Sequence, residues 1–255
     1  MISSFFEESI VKRAQEKDLV EVEIVNLRDF AIDDYGTVDD RPYGGGAGMI
    51  LRADVINQAL KKITNHPSIS LRVNKSQITK KTQNPKVILT SAKGKTFNQK
   101  KAIEYSKLDH LIIIAGHYEG VDERVLDMVD EEISLGDFIL TGGEIVAVTI
   151  TDAITRLIPG VLKKTEAIKI ESYFDIPIEK IIEAVGEDDI LKSLKKKGKK
   201  TIKLLEYPQY TRPEDYQGKK VPSVLLSGNP KEITKWQIKK AYEETLKKRK
   251  DLLDI

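Results

Sequence analysis

The chain has 255 residues, of which 40% are hydrophobic and 32% charged, with a formal net charge of +2 at pH 7. This balance is typical of a soluble globular protein with one or two domains and excludes a disordered chain. No apolar run reaches membrane-spanning length and no signal peptide is recognisable, so a cytosolic protein without membrane association is predicted. With no cysteine and three scattered histidines, neither a disulfide nor a thiolate or zinc site is expected.

The first 160 residues alternate short apolar runs with helical patterns. Strands are predicted where apolar residues alternate with charged ones or form short buried runs, at 20–27, 86–92, 110–117 and 137–144. Helices are predicted between them, at 96–107, 121–129 and 144–158. This succession of strand, loop and helix indicates an α/β fold with a parallel sheet.

Three of these strands lead into loops that contain glycine. Ligands of open parallel sheets bind at the carboxyl ends of the strands, and glycine lets the backbone turn sharply or approach a ligand closely. One shared pocket, in which backbone groups bind an adenosine-containing cofactor, is therefore favoured over three ordinary turns. A phosphate-binding P-loop at Gly94-Lys95-Thr96 is not favoured, because Leu89 occupies the position of its first glycine. A fourth glycine-rich stretch, DDRPYGGGAGM at 39–49, is predicted to be a surface loop that binds substrate.

Beyond Pro159-Gly160 the sequence becomes helix-rich and basic. Residues 1–159 contain 20 basic and 24 acidic side chains, whereas residues 160–255 contain 22 and 16. Lysine blocks at 192–200 and 247–250 suit a phosphate backbone, although solvated helix faces explain either block alone equally well. Two short amphipathic helices with a lysine-rich loop are predicted over 175–205, and a terminal helix after Asn229-Pro230.

Six motifs follow one another along nearly the whole chain: TVDDRPYGGGAGM, GHYEGVDERV, ISLGDFILTGGE, TRLIPGVL, YPQYTRP and VPSVLLSGNP. Together they resemble the motifs of bacterial tRNA (guanine-N1)-methyltransferases of the SPOUT class. The resemblance implies methylation of guanine N1 at tRNA position 37, just 3′ of the anticodon, with S-adenosylmethionine as donor. It also implies a homodimer with shared active sites. The alternatives are another SPOUT-type RNA methyltransferase and a catalytically inactive RNA-binding homologue.

The fold implied by the resemblance is a SPOUT-type parallel sheet with a C-terminal trefoil knot in the first domain, followed by a small helical domain. The methyltransferase domain would span 1–160, a linker 161–175 and a tRNA-binding domain 176–255. Two departures from the fold of the family are expected. The family's first strand would be missing, and residues 176–203 would be a lysine-rich insertion.

The catalytic roles also carry over by motif. Guanine N1 has to lose a proton, and negative charge then develops on O6, so the reaction needs a base and a strong donor. Arg156 matches the family's catalytic arginine, although by pattern alone it would pair with Asp152 on the same helix face. Glu171 stands where the family has an aspartate as general base, and Asp175 is the alternative base.

The binding residues implied by the resemblance fall into two sets. The cofactor would be bound by Leu89, Thr90, Ser91, Gly94, Gly116, Tyr118, Glu119, Gly120, Ile133, Ser134, Leu135, Gly136, Phe138, Ile139, Leu140, Gly142 and Gly143. The tRNA would be bound by Arg41, Tyr43, Gly45, Gly46, Asp152 and Arg212. Mg²⁺ is an expectation of the family for which the sequence displays no ligand cluster.

Overall fold

The structure is a computed structural model that describes residues 2–65, 85–163 and 171–253. The chain forms two compact units, Met1–Lys163 and Lys164–Ile255. Each unit has a hydrophobic core of its own. Among the described residues, the core of the first unit consists of two clusters and that of the second unit of one. Within the described ranges, no helix is long and apolar enough to cross a membrane.

The first unit alternates strands and helices as predicted. In chain order its elements are α1 (Ser3–Phe6), α2 (Ser9–Glu16), β1 (Asp39–Asp40), β2 (Ile50–Leu51), α3 (Ala53–Asn65), β3 (Lys86–Thr96), α4 (Gln99–Tyr105), β4 (Leu111–Ile114), β5 (Glu131–Ser134) and α5 (Glu144–Thr155). Two 3₁₀ turns, Leu27–Phe30 and Glu123–Met128, complete it. The second turn stands in place of the helix predicted at 121–129, since β5 begins only three residues after it.

A three-stranded parallel sheet forms the centre of this unit, in the order β4–β3–β5. Side chains alternate along β3: Val87 and Leu89 pack into one core cluster together with residues of α3, and Ile88 packs into another together with residues of α4 and α5. The sheet is therefore covered on both faces, which accounts for the nearly continuous apolar runs of β3 and β4. The predicted α/β fold with a parallel sheet is confirmed.

The strand predicted at 20–27 is wrong. Residues 20–26 have no regular secondary structure, and the 3₁₀ turn begins at Leu27. Alternation of apolar and charged residues suits one buried face, but a strand also needs a neighbouring strand to pair with. Val22 N donates to the Gln15 side chain instead (3.3 Å to Oε1), and Asn26 caps the turn by accepting a hydrogen bond from Arg28 N.

The strand predicted at 137–144 is also wrong. The third strand of the sheet is β5, which lies earlier in the chain, and residues 137–141 form an irregular loop. The apolar side chains of this loop, Phe138, Ile139 and Leu140, are exposed, whereas a strand of the central sheet would bury them. Acidic residues at the start of β5 conceal it in the sequence, because Glu131 and Glu132 interrupt the apolar pattern.

Glu131 is accommodated at the sheet by three partners. Its carboxylate lies 2.6 Å from Lys101 Nζ and 3.1 Å from Lys86 Nζ, and it accepts a hydrogen bond of 2.7 Å from Tyr105 OH. Burial alone would raise the pKa of Glu131, but the bonds from these partners outweigh burial and hold the pKa at about 2. This ion-pair network explains how an acidic strand can lie beside the apolar β3.

We expect Glu131→Gln to lower the free energy of unfolding at pH 7 by about 2 kcal/mol, because both lysines lose their anionic partner. The pKa of Glu131 is lower in the folded chain than its ordinary value of 4.5. The carboxylate therefore stabilises the fold above pH 4.5, and this contribution is lost as the pH falls from 4.5 towards 2. Urea unfolding at several pH values should show this part of the pH dependence in the parent chain and in Glu104→Gln, but not in Glu131→Gln. An unchanged profile in Glu131→Gln would contradict the expectation.

The second unit contains the predicted helices together with strands. Its elements are β6 (Phe174–Pro177), α6 (Ile178–Val185), α7 (Asp189–Lys196), β7 (Thr201–Leu204), β8 (Asp215–Tyr216), β9 (Lys219–Lys220), α8 (Ser223–Leu226) and α9 (Pro230–Lys248), with a 3₁₀ turn at Lys250–Leu253. The expected small helical domain is thus corrected to a mixed one, since β6 and β7 pair antiparallel and β8 and β9 form a hairpin. The alternation Thr-Ile-Lys-Leu at 201–204 places Ile202 and Leu204 inward, which favours a strand over the predicted loop.

The segment 176–203, expected as an insertion, supplies much of the core of this unit. Its buried side chains are Ile176, Ile178, Ile181, Leu191, Leu194 and Ile202. They pack with Ala241 and Tyr242 of α9. Tyr242 OH also donates to Asp188 Oδ2 (2.8 Å) at the start of α7. Because so much apolar surface is shared, the segment is an integral part of the unit rather than an appended pair of helices.

Candidate active site

The ends of β3 and β4 and the start of α5 meet at one point of the first unit. Thr90 lies where the regular pairing of β3 ends. Its hydroxyl accepts a hydrogen bond from Gly116 N (3.0 Å) and donates one to Ile114 O (3.2 Å). Gly143 N donates to Gly116 O (2.6 Å). A Cβ at Gly143 would collide with Thr90 Oγ1, so the close approach of the three segments requires glycine there. The three glycine loops predicted to share one site do come together.

The first loop leaves the sheet and returns to it. Thr90 pairs with Ile133, and Lys95 pairs with the same residue, so residues 91–94 bulge out of β3. Where the chain returns, a Cβ at Gly94 would lie 2.5 Å from Glu132 C and 2.5 Å from Ile133 N. Gly94 is therefore the position at which this loop packs directly on the backbone of β5.

We expect Gly94→Ala to lower the melting temperature by about 5–10 °C, since the added methyl group overlaps the backbone of β5 and such overpacking costs about 2–3 kcal/mol. The return of the loop would shift, and cofactor affinity should fall with it. Ala92→Ser also adds one heavy atom to this loop, at an exposed position, and should leave the melting temperature unchanged. Differential scanning calorimetry measures the melting temperature of both variants. Equal melting temperatures would show that the backbone of β5 moves to accommodate the added methyl group at little cost.

The second loop, 116–120, carries a strained residue. Tyr118 has φ +58°, a left-handed conformation that non-glycine residues adopt at a cost, and such outliers concentrate at functional sites. Its ring packs edge-on against the ring of His117, with centroids 4.5 Å apart. Glu119 N donates to Met49 O (3.1 Å). The loop is thus fixed in place by the chain that follows the glycine-rich stretch 44–48.

The third loop, 135–143, joins the second through an isolated antiparallel bridge between His117 and Gly142. At its start Ser134 Oγ donates to Gly136 O (3.0 Å) and lies 3.1 Å from Gly136 N. Its middle exposes three consecutive apolar side chains, of which Ile139 is 83% exposed. The cofactor residues predicted from 89 to 143 therefore lie on three segments that are joined by hydrogen bonds at the carboxyl ends of the strands.

The predicted substrate loop connects β1 and β2, which pair antiparallel with Asp39 opposite Leu51. Arg41, Gly45 and Gly46 are exposed, and Tyr43 is fully exposed at the tip. Leu51 N donates to Gly120 O (3.0 Å), so the base of this loop is bonded to the second loop, 116–120. The structure thus places the predicted substrate loop beside the predicted cofactor loops.

Gly48, which lies within the predicted substrate loop, and the pair His117–Glu144 also lie at this site, and of these Glu144 was not predicted. Gly48 has φ +82°, and a Cβ there would collide with the Glu119 side chain. His117 Nδ1 is buried and lies 3.2 Å from Glu144 Oε1, but it has no hydrogen-bond partner in the described part of the chain. The signal in the sequence was the glycine run and the position of Glu144 directly after Gly142-Gly143.

Arg156 and Asp152 lie at the carboxyl end of α5. Arg156 N donates to Asp152 O (3.3 Å), so both residues follow the helical path on which an i, i+4 pair is possible. The Arg156 side chain is half-buried and has partners in the fold, whereas Asp152 is exposed. α5 begins at the point where the three loops meet, whereas Arg156 follows its last residue, about 20 Å further along the helix axis. The structure therefore places Arg156 at the opposite end of α5 from the junction of the loops.

The remaining predicted residues belong to the second unit. Glu171 is half-buried with partners of its own, and its carbonyl accepts from Phe174 N (3.2 Å). Asp175 lies opposite Lys203 in the β6–β7 pair and is ion-paired with it (2.8 Å). Arg212 is exposed. Both candidate bases therefore have partners in the structure, Asp175 at the surface of the unit and Glu171 half-buried.

The site in the first unit fits an adenosine-containing cofactor. Its loops present backbone groups, glycines at Gly94, Gly142 and Gly143 keep their contacts free of side chains, and a buried nitrogen of His117 lacks a partner among described residues. Exposed Leu140 and Ile139 offer apolar surface beside it, as an adenine ring requires. Among the described residues no group of histidines and carboxylates has the spacing of a metal site.

Comparison with known proteins agrees with this geometry. The family model described as tRNA (guanine-1)-methyltransferase TrmD matches residues 1–255. The tRNA (guanine-N(1)-)-methyltransferase of Dictyoglomus turgidum is 42% identical over 254 residues, covering 100% of this chain and 86% of the relative. Proteins of the same name from Geobacter sp. strain M21 and Clostridium botulinum strain Eklund 17B are 44% and 43% identical, covering 97% and 98% of this chain and 83% and 87% of theirs. The chain belongs to the tRNA (guanine-1)-methyltransferase family.

Proposed function

We propose that this protein transfers the methyl group of S-adenosylmethionine to N1 of the guanosine at tRNA position 37. The observation that carries the proposal is the family match over residues 1–255, combined with three glycine loops joined at the carboxyl ends of the sheet strands. Relatives at 42–44% identity over nearly the whole chain are named for this reaction.

The cofactor would be held by backbone groups of the three loops. Residues 89–94, 116–120 and 133–143 surround the junction of Thr90, Gly116 and Gly143. Backbone groups of Ile133, Leu135 and Leu140 would bind the adenine, and Tyr118 and Glu119 would line the pocket. The strained backbone of Tyr118 and the hydrogen bond from Glu119 N to Met49 O support this, since both fix the second loop in one conformation.

The chemistry divides between two side chains. S-adenosylmethionine supplies an electrophilic methyl group on a sulfonium, whose sulfur keeps the bonding electron pair. Glu171 takes the proton of guanine N1, and the freed lone pair of N1 forms the new bond to carbon. Arg156 donates hydrogen bonds to O6, where negative charge develops as the proton leaves. A charge-assisted bond of this kind is stronger when the proton has left, so it lowers the barrier rather than only binding the base.

The tRNA would contact both units. In the first unit, the exposed loop between β1 and β2 carries Arg41 and Tyr43, and its base is bonded to the cofactor loop at Gly120. Asp152 on α5 and, in the second unit, Arg212 would also bind the tRNA. We propose 1–160 as the methyltransferase domain, 161–175 as the linker and 176–255 as the tRNA-binding domain. The positive charge excess of residues 160–255 supports the last assignment.

We further propose that the protein is a homodimer with shared active sites, and that the first domain contains the trefoil knot of its family. Phe138, Ile139, Leu140 and Ile145 are exposed close together in the sequence, and such patches mark interfaces. Sedimentation equilibrium at micromolar concentration would overturn the dimer if it gave the mass of one chain. The bond from Gly143 N to Gly116 O supports the close threading of the third loop on the second that a knot needs. We place the enzyme in the cytoplasm, where its tRNA substrate occurs, with Mg²⁺ as an accessory ion.

The test is single-turnover methylation of an unmodified tRNA transcript with guanosine at position 37, followed by nucleoside analysis. A transcript with adenosine at this position serves as the control. Formation of 1-methylguanosine in the first transcript alone is the expected result. Ribose methylation would show a different SPOUT-type enzyme. Binding of tRNA and cofactor without product would show an inactive homologue.

A further inference from the structure

Positive charge is concentrated on the second unit where α7 ends and the chain turns into β7. Seven of the twelve residues from 192 to 203 are lysines. Six of these lysines are exposed and are called the lysine surface: Lys192, Lys195, Lys196, Lys197, Lys199 and Lys200. The family match and the cofactor loops assign no role to them.

The backbone beneath the lysine surface is held in one conformation. Leu191 and Leu194 are fully buried and fix α7 on the core. Asp188 caps the helix by accepting from Leu191 N (2.8 Å). At the other end Gly198 has φ +76°, and Lys199 N donates to Leu194 O (3.1 Å), which closes the helix with a tight turn. The lysine stems therefore project from a rigid base, so less entropy is lost when they bind a ligand than in a mobile loop.

The positive charge exceeds what the fold itself requires. Lys192 is paired with Asp189 (3.6 Å) and Lys195 with Glu187 (3.4 Å). A helix carboxyl end carries only about half a negative charge, which one cation satisfies. Lys196 and Lys200 have no ion-pair partner among the described residues, so positive charge remains in excess of nearby negative charge on this small rigid surface. Such a surface accumulates counterions, and their release favours the binding of a polyanion.

We infer that the lysine surface binds phosphate groups of the tRNA, as a contact additional to those at the catalytic site. The inference rests on the proposed function, because tRNA is the polyanion which that function supplies. Lys196 and Lys200 are the lysines to test: both are exposed, and neither has an ion pair with a described residue. Deleting 176–203 would be uninformative, since this segment supplies core side chains.

The experiment measures binding of a fluorescently labelled full-length tRNA transcript by anisotropy, without cofactor, from about 50 to 200 mM KCl. For Lys196→Gln/Lys200→Gln the slope of log affinity against log salt should become shallower by about 2, one unit for each lost phosphate contact. The ratio of the parent chain's tRNA affinity to that of this variant should therefore fall about tenfold between the lowest and the highest salt concentration. Lys196→Arg/Lys200→Arg should keep the parent slope.

The matched control is Lys12→Gln/Lys17→Gln, which changes the net charge equally at two exposed positions of the first unit. Its slope should equal that of the parent chain. An unchanged slope in Lys196→Gln/Lys200→Gln, or an equal change in the control, would overturn the inference. Binding and catalysis are measured separately. If Lys196→Gln/Lys200→Gln changes the slope as expected but the parent chain makes no 1-methylguanosine, only the proposed function is refuted. If the parent chain makes 1-methylguanosine but this variant leaves the slope unchanged, only the lysine surface is refuted.

Discussion

Arg156→Ala is expected to lower the single-turnover rate of methyl transfer by about 10²–10³-fold, while the dissociation constant for S-adenosylmethionine changes less than about threefold. The guanidinium is assigned to the charge that develops on guanine O6, which is absent before the proton leaves, so its removal raises the barrier more than it weakens binding. The measurement pairs rapid-quench kinetics with calorimetric titration of the cofactor.

Two variants separate this role from a structural one. Arg156→Lys keeps the charge but not the planar fork of donors, and should recover only part of the rate. Arg13→Ala removes an exposed arginine on α2, where it donates to Ser9 O, and should leave the rate unchanged. Parallel losses of rate and cofactor affinity in Arg156→Ala, with a lower melting temperature, would instead show that Arg156 supports the fold at the end of α5.

The meeting of the three glycine loops could be predicted because their signals are local. Apolar runs that end in glycine mark the carboxyl ends of β3 and β4, and parallel pairing brings such ends to one edge of a sheet. The third loop was located correctly for the wrong reason. The apolar run Phe138, Ile139 and Leu140 predicts a strand, whereas the strand is β5, which precedes these residues, and their side chains are exposed. Local pattern does not distinguish an apolar run that packs inside from one that stays on the surface.

The other errors concern contacts between segments distant in sequence. β5 is hidden by Glu131, whose charge is compensated by Lys86 and Lys101, 45 and 30 positions earlier in the chain. The strand predicted at 20–27 needs a pairing partner, which alternation cannot reveal. In the second unit, the residues 201–204 that are predicted as a loop form β7, which pairs with β6. Each outcome depends on which distant residues meet, and a single sequence does not record this.

Glu171→Ala is expected to lower the methyl-transfer rate by about 10²–10⁴-fold, the range for loss of a general base, with tRNA and cofactor affinities retained. Guanine N1 holds its proton at neutral pH, so without a base the nitrogen has no lone pair to attack with. Glu171→Asp should keep the rate within about tenfold, because the carboxylate is retained one methylene shorter. Single-turnover kinetics on the three chains provides the comparison.

Asp175 is the competing base and supplies the decisive control. Asp175→Asn breaks the exposed ion pair with Lys203, an interaction worth about 0–1 kcal/mol, so the unit should stay folded and the rate unchanged. A large loss in Asp175→Asn together with full activity in Glu171→Ala would move the base from Glu171 to Asp175. Because the exposed ion pair contributes little to stability, a loss of rate in Asp175→Asn would report the missing carboxylate rather than an unfolded unit.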